Sequence, residues 1–276
     1  MRWDPEEYLQ FGDQRGRAFA DLMARVGAED PGTVVDLGCG PGNLTRSLAE
    51  RWPGAAVVGV DSSAEMVDRA RAEKGSPRVT FRLADLREWQ PDAPVDVLTS
   101  NATLQWVPDH LALLPRLVGG VAPGGWLAFQ VPGNFGEPTH TAIADLRQAP
   151  RWRERLAGVE VEQPRSEEPA AYLDVLAGLG CTVDVWETTY LQVLPGRDAV
   201  VRWMTGTGLR PLLGVLGEDE REALLADYRE RVAPSYPEGP HGTVLPYRRI
   251  FAVARREVSG RAPGAPRRAP ARPRGR

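Results

Sequence analysis

Cysteine is scarce in this chain: Cys39 and Cys181 are the only two in 276 residues, far apart and in no metal-like spacing. A disulfide scaffold is thereby excluded, and a reducing, cytoplasmic setting is the expectation. Histidine is nearly as rare. His110, His140 and His241 are scattered, with no Cys/His grouping of metal-ligand spacing, so no bound metal is expected. No apolar run approaches the ~18 residues of a membrane span, and the polar opening MRWDPEEYLQ lacks the charged-then-apolar order of a signal peptide. A membrane partner is not expected. Lys74 is the only lysine, and nearly all positive charge is arginine. Six of those arginines crowd the end of the chain, VSGRAPGAPRRAPARPRGR, which holds no acid. The formal net charge of −3 therefore understates the acidity of the body, and an acidic body argues against nucleic acid as a partner. The stretch 257–276 cannot build a core and is expected to be disordered.

What remains, with 42% hydrophobic residues, suffices for one sizeable core and a smaller lobe. β-Branched apolar runs stand at 33–37, 56–60, 78–83, 95–98 and 126–131. Helical spacing separates them, as in Leu44, Leu48 and Trp52. Such alternation predicts an α/β fold with a parallel sheet covered on both faces. Beyond residue 132, CTVDVWETTYLQVL and TVLPYRRIFAVARR read as two late strands around about 50 mostly helical residues. That insertion is long enough to cap the sheet's carboxyl edge.

The stretch VVDLGCGPGN, residues 34–43, places three glycines directly after the first strand. A triphosphate loop needs a lysine that is missing here. A dinucleotide fingerprint needs glycine where Asn43 stands, which weakens that reading and leaves it open. Asp36 would repel a pyrophosphate and attract a cation, which favours S-adenosylmethionine, a cofactor with a sulfonium, an ammonium and no phosphate. Asp61 closes the second strand about 20 residues on, where a carboxylate can accept from ribose hydroxyls. Ser62 or Ser63 starts the following helix. Asp85 closes the third strand and can accept from an adenine amino group, with the Leu86 amide beside it. Cys39 is read as a small packing residue.

In order, VVDLGCGPGN, VVGVDSS, LADLREW and TSNATLQWVPDH resemble the class I S-adenosylmethionine-dependent methyltransferases. The segments WDPEEYLQF, VPGNFGEPTH, TGTGLRP and RRIFAVARR are similar to those of trans-aconitate 2-methyltransferases, from about Trp3 to Arg256. The resemblance implies a doubly wound, mostly parallel, seven-stranded Rossmann-like sheet as one domain, 1–256. It would carry an N-terminal helical lid at 1–30 and a helical cap at 191–243, before the last strand. It places Asp36, Gly38, Gly40, Asp61, Ser62, Asp85, Leu86 and Asn101 on the cofactor. It also implies a polycarboxylate acceptor, methylated on a carboxylate to a monomethyl ester.

A carboxylate is already ionised near neutral pH, so no general base is expected. An acceptor of high pKa would need one, and His140 is then the obvious residue. The other carboxylates of the acceptor call for arginine. Arg210 and Arg249 lie in the family-like segments, and Arg15 and Arg17 near the N-terminus. Tyr8 and Phe11 could close over the cofactor, Trp106 could form an apolar wall near the methyl group, and His140 would stand at the pocket edge.

Overall fold

The computed structural model describes residues 12–159 and 164–258, with side chains from Gly16 onward. The five apolar runs of the first half become parallel strands: β1 (Thr33–Leu37), β2 (Ala56–Asp61), β3 (Val79–Leu83), β4 (Val95–Asn101) and β5 (Val121–Pro132). The late strands are β6 (Cys181–Leu194) and β8 (Gly242–Arg256), with a two-residue β7 (Glu238–Gly239) hooked onto β8. The order is β3-β2-β1-β4-β5-β8-β6, and β8 runs antiparallel to both its neighbours.

Two strands extend beyond their apolar runs. β4 continues through Thr99, Ser100 and Asn101: Ser100 Oγ donates to the Leu37 carbonyl at 2.9 Å, whereas Thr99 Oγ1 is buried with no hydrogen-bond partner among the described residues. β5 starts at Val121 and passes a register shift, so the APGG stretch hides its beginning.

Helices α1 (Gly12–Met23), α2 (Asn43–Arg51) and α3 (Ala64–Ala72) belong to the first half. α4 (Leu114–Gly120), α5 (Pro138–Gln148) and α6 (Pro169–Gly178) follow. On one face of the sheet Ala18, Phe19 and Leu22 of α1 bury against Val34, Val97, Phe251 and Val253. On the other, Leu114, Leu117 and Leu176 bury against Val35, Leu98 and Phe129. α1 is thus part of the core. Of the lid expected at 1–30, residues 1–11 lie outside the described residues, as does 259–276 of the expected disordered tail. Within that tail, Glu257 still donates its N–H to the Gly180 carbonyl.

Pro132, the last residue of β5, pairs with Arg249 of β8. The rest of β8 pairs with β6 out to Leu194↔Thr243, so this hairpin projects past the carboxyl edge of the parallel strands. At its tip, residues 195–241 form α7 (Ala199–Thr205), α8 (Arg210–Leu213) and α9 (Glu218–Val232). The insertion is narrower than 191–243, because the ladder claims 191–194 and 242–243. It is not self-contained either. Ala142, Ile143 and Leu146 of α5, with Trp152 and Leu156, share its core. Leu146, Leu212 and Leu224 are wholly buried there, each stabilising by about 1.5–3 kcal/mol through removal from water. Among the described residues no helix is long and apolar enough to cross a membrane.

Candidate cofactor and acceptor site

Parallel strands present their carboxyl ends at one edge, and there the loops after β1 to β4 enclose a cavity of about 450 Å³. Of the residues expected on the cofactor, Gly38, Gly40, Asp61, Ser62, Asp85, Leu86 and Asn101 line it, and Trp106 joins them. Gly38 and Gly40 both have positive φ, 75° and 54°. A side chain on Gly38 would overlap Thr103, whereas a Cβ on Gly40 would meet no protein atom within 4 Å. Gly40 is therefore bare where the cavity begins. Asp61 supports this loop: Oδ2 accepts from the Gly40 N–H at 2.8 Å and Oδ1 from the Ser63 N–H at 2.9 Å. Ser63, rather than Ser62, caps α3, accepting from the Met66 N–H. Asp85 is held by Arg87, whose Nε lies 2.9 Å from Oδ2, and this bond keeps the carboxyl below its ordinary range. The Leu86 carbonyl accepts from Arg116, while the Leu86 N–H has no partner among the described residues. Ala102, directly after Asn101, is forced to a φ of 53°, a conformation that costs a non-glycine residue energy and recurs at ligand sites.

Asp36 differs from the expectation. It is 2% exposed and does not line the cavity. It is the fourth residue of a five-residue strand, not the last, so it points under α2, where Thr45 Oγ1 donates to it at 2.7 Å. Burial, aided by the charge of Asp61 and opposed by the Thr45 bond, pushes its carboxyl up to about 6. The folded protein therefore holds this proton more tightly than the unfolded chain does. The group favours folding below pH ~4, and that contribution is lost as pH rises through ~6, on the order of 2–3 kcal/mol. Asp36→Asn is expected to raise the melting temperature relative to wild type more at pH 7.5 than at pH 4.5. Equal differences at both values would refute this account. Cys39 packs with Val67, Ala70 and Phe81, and burial pushes its thiol well up, as for an inert packing residue.

Beside Asn101 begins a row of polar groups that crosses to the projecting hairpin. Gln130 Nε2 donates to Asn101 Oδ1 at 2.7 Å, and Arg249 Nη1 donates to Gln130 Oε1 at 3.2 Å. Arg249 is 5% exposed, with its guanidinium 4.6 Å from the centre of the Tyr247 ring. Trp203 of α7 meets Tyr247 edge-on at 6.0 Å. Tyr190, opposite Tyr247 in the ladder, donates to Asp21 of α1 at 2.6 Å, and Arg17 lies 5.0 Å over its ring. The structure thus gathers Arg249 and Arg17 around one tyrosine pair.

Arg210 sits apart, half-buried in the cap at the start of α8, and its side chain makes no hydrogen bond or ion pair among the described residues. His140 lies in the first turn of α5, 3.0 Å from Thr139 Oγ1 and edge-on to Phe135. Burial lowers its pKa to about 4, which leaves a neutral imidazole too weak to be a base for a high-pKa acceptor. Tyr8, Phe11 and the Arg15 side chain lie outside the described residues. Sequence reading did not find Gln130, Thr103, Tyr190 or Tyr247. The one available signal was Gln130 itself, a polar residue inside the apolar run WLAFQV.

A methyltransferase domain model matches residues 11–182. The trans-aconitate 2-methyltransferase of Streptomyces avermitilis is 51% identical over 93% of this chain and 97% of its own length. That of Azoarcus is 50% identical over 91% and 98%. Among solved structures, the YcgJ protein of Bacillus subtilis superposes with a TM-score of 0.60 at 14% identity, covering 88% of this chain and 99% of its own. A phosphoethanolamine N-methyltransferase 2 of Haemonchus contortus, in complex with S-adenosylmethionine, gives 0.53 at 18%, covering 89% and 52%. At such identities the two structures bear on the fold alone.

Proposed function

Because the chain belongs to the trans-aconitate 2-methyltransferase family, we propose that it methylates a carboxylate oxygen of trans-aconitate to a monomethyl ester, with the acceptor held between Arg249 and the cap. The protein is an S-adenosylmethionine-dependent methyltransferase. S-adenosylmethionine supplies an electrophilic methyl group bonded to a sulfonium, with a neutral thioether as the leaving group. The cavity suits that molecule: its wall carries Asp61 and Asp85; Arg87, the one arginine among the described residues of the wall, is tied to Asp85; and Gly40 leaves room for close approach. Asp61 would hold the ribose, Asp85 and the Leu86 N–H the adenine, and Asn101 the amino-acid end.

The observation that carries the acceptor reading is the buried cation Arg249, two hydrogen bonds from the cavity wall. A guanidinium in a dry site binds a carboxylate through charge-assisted, bidentate bonds. Arg17 would meet the acceptor's remaining charges. Since the reacting carboxylate is ionised at neutral pH, the protein's task is to position it, keep it dry and exclude water. Trp106, in the cavity wall, and Trp203 and Tyr247, beside Arg249, would supply apolar cover.

Incubation with methyl-labelled cofactor and a panel of polycarboxylates tests this directly. Label should enter an alkali-labile ester with trans-aconitate first among them; transfer to another acceptor and none to trans-aconitate would overturn it. His140→Gln is expected to keep kcat within about threefold and to remove no limb from the rate profile between about pH 5.5 and 8. A limb lost in that variant would return His140 to the role of base.

A further inference from the structure

We propose that Gln130 is a positioning residue that ties the cofactor cavity to the acceptor site, holding Asn101 with one end of its amide and Arg249 with the other. The inference rests on the reading of Arg249 as an acceptor ligand. Gln130 is 1% exposed, in the middle of the sheet. Its backbone carbonyl also accepts from the Ala102 N–H at 2.9 Å, which fixes the strained turn after Asn101.

The chemistry of the three side chains leaves one arrangement. A guanidinium can only donate, so the oxygen of the Gln130 amide must face Arg249. Its NH₂ must then face Asn101, which must answer with Oδ1. That leaves Asn101 Nδ2 as the side-chain atom free to serve a ligand in the cavity that Asn101 lines. A donor there suits a carboxylate, such as that of the methionyl end of the cofactor. This sense of the amide suits Arg249 at one end and leaves a donor in the cofactor cavity at the other, and the same glutamine restrains the guanidinium on the acceptor side. Gln130 and Arg249 are buried, so at that end water does not take the place of the amide oxygen, while Asn101, half-buried in the cavity wall, loses the donor that orients its amide.

Two variants of the full-length enzyme test the relay, with S-adenosylmethionine affinity measured by calorimetry and KM measured for trans-aconitate. Gln130→Met removes both bonds and keeps the volume. It should weaken cofactor binding about three- to tenfold and raise the KM by a similar factor, the worth of one buried hydrogen bond on each side. Gln130→Glu keeps the shape and places a carboxylate against the Arg249 guanidinium. Its KM should rise at least about tenfold beyond that of the methionine variant, because a carboxylate beside the guanidinium repels an anionic acceptor. It also cannot donate to Asn101, so cofactor affinity should fall as well.

A folded Gln130→Met with neither constant moved, or only one, overturns the relay, as does a Gln130→Glu KM no higher than that of Gln130→Met. A purely structural role would lower the melting temperature and move neither constant, which also overturns it. Should the methionine variant fail to fold, Gln130→Glu against wild type carries the same comparison. Arg249→Met separates the two levels. An unmoved KM there places the failure in the acceptor reading, whereas a raised KM beside unmoved Gln130 variants places it in the relay alone.

Discussion

Arg249→Met is expected to raise the KM for trans-aconitate by about a hundredfold or more while leaving S-adenosylmethionine affinity within about threefold. Removing one partner of a desolvated charged pair costs about 2–5 kcal/mol, and a hundredfold corresponds to about 2.7 kcal/mol. Arg249 is suited to so large an effect because it is 5% exposed, so little water screens it. Methionine retains the unbranched shape against Tyr247 and removes the charge. The cofactor side should be spared, because Gln130 can still donate to Asn101 without its arginine. Stability should fall by about 1–3 kcal/mol, since Gln130 Oε1 loses its donor. Steady-state kinetics with varied trans-aconitate, beside calorimetry with the cofactor, decides the matter. An unchanged KM removes Arg249 from the acceptor site.

Gly40→Ala should weaken S-adenosylmethionine binding by about a hundredfold in a protein that still folds. The left-handed backbone costs alanine about 1–2 kcal/mol, and the added methyl group meets no protein atom within 4 Å. The methyl group instead enters the space that the cofactor needs, where backbone approach is closest. Gly38→Ala forms the contrast. Its Cβ would overlap Thr103, so it should lower the melting temperature of the cofactor-free protein well beyond Gly40→Ala. Melting curves without cofactor, combined with binding isotherms, separate steric exclusion of the ligand from damage to the loop. Wild-type affinity in Gly40→Ala would mean that the cofactor does not pass over this glycine.

The two substitutions also mark where sequence reasoning finds the lining of the cavity. The glycine loop, Asp61 and Asp85 were legible because each follows an apolar run. Parallel strands bring all their carboxyl ends to one edge, so residues far apart in the chain share an address. Asp36 was misplaced. It was placed on the cofactor by its charge beside the loop, but it is the fourth of five strand residues, and the pleat turns the carboxylate under α2 to Thr45. The cap was legible as an insertion and not as a shared core, because the apolar stripe of α5 does not announce that its partners are α7, α8 and α9, some 60 residues on.

From local pattern alone follow the order of strands and helices, the nucleotide-like cavity with its acidic wall, and, through motif resemblance, the methyl donor. These depend on chain-adjacent residues and on a topology that hardly varies. The arrangement around Arg249 was decided by tertiary structure. Arg249 reaches Gln130 because β8 runs antiparallel between β5 and β6 with Pro132 opposite Arg249, and Arg17 reaches Tyr190 because α1 packs across that face. Nothing in a single strand specifies its register against a partner more than a hundred residues away. That register is set by which buried side chains can pack and which buried polar groups can pair, and both exist only once the sheet has formed.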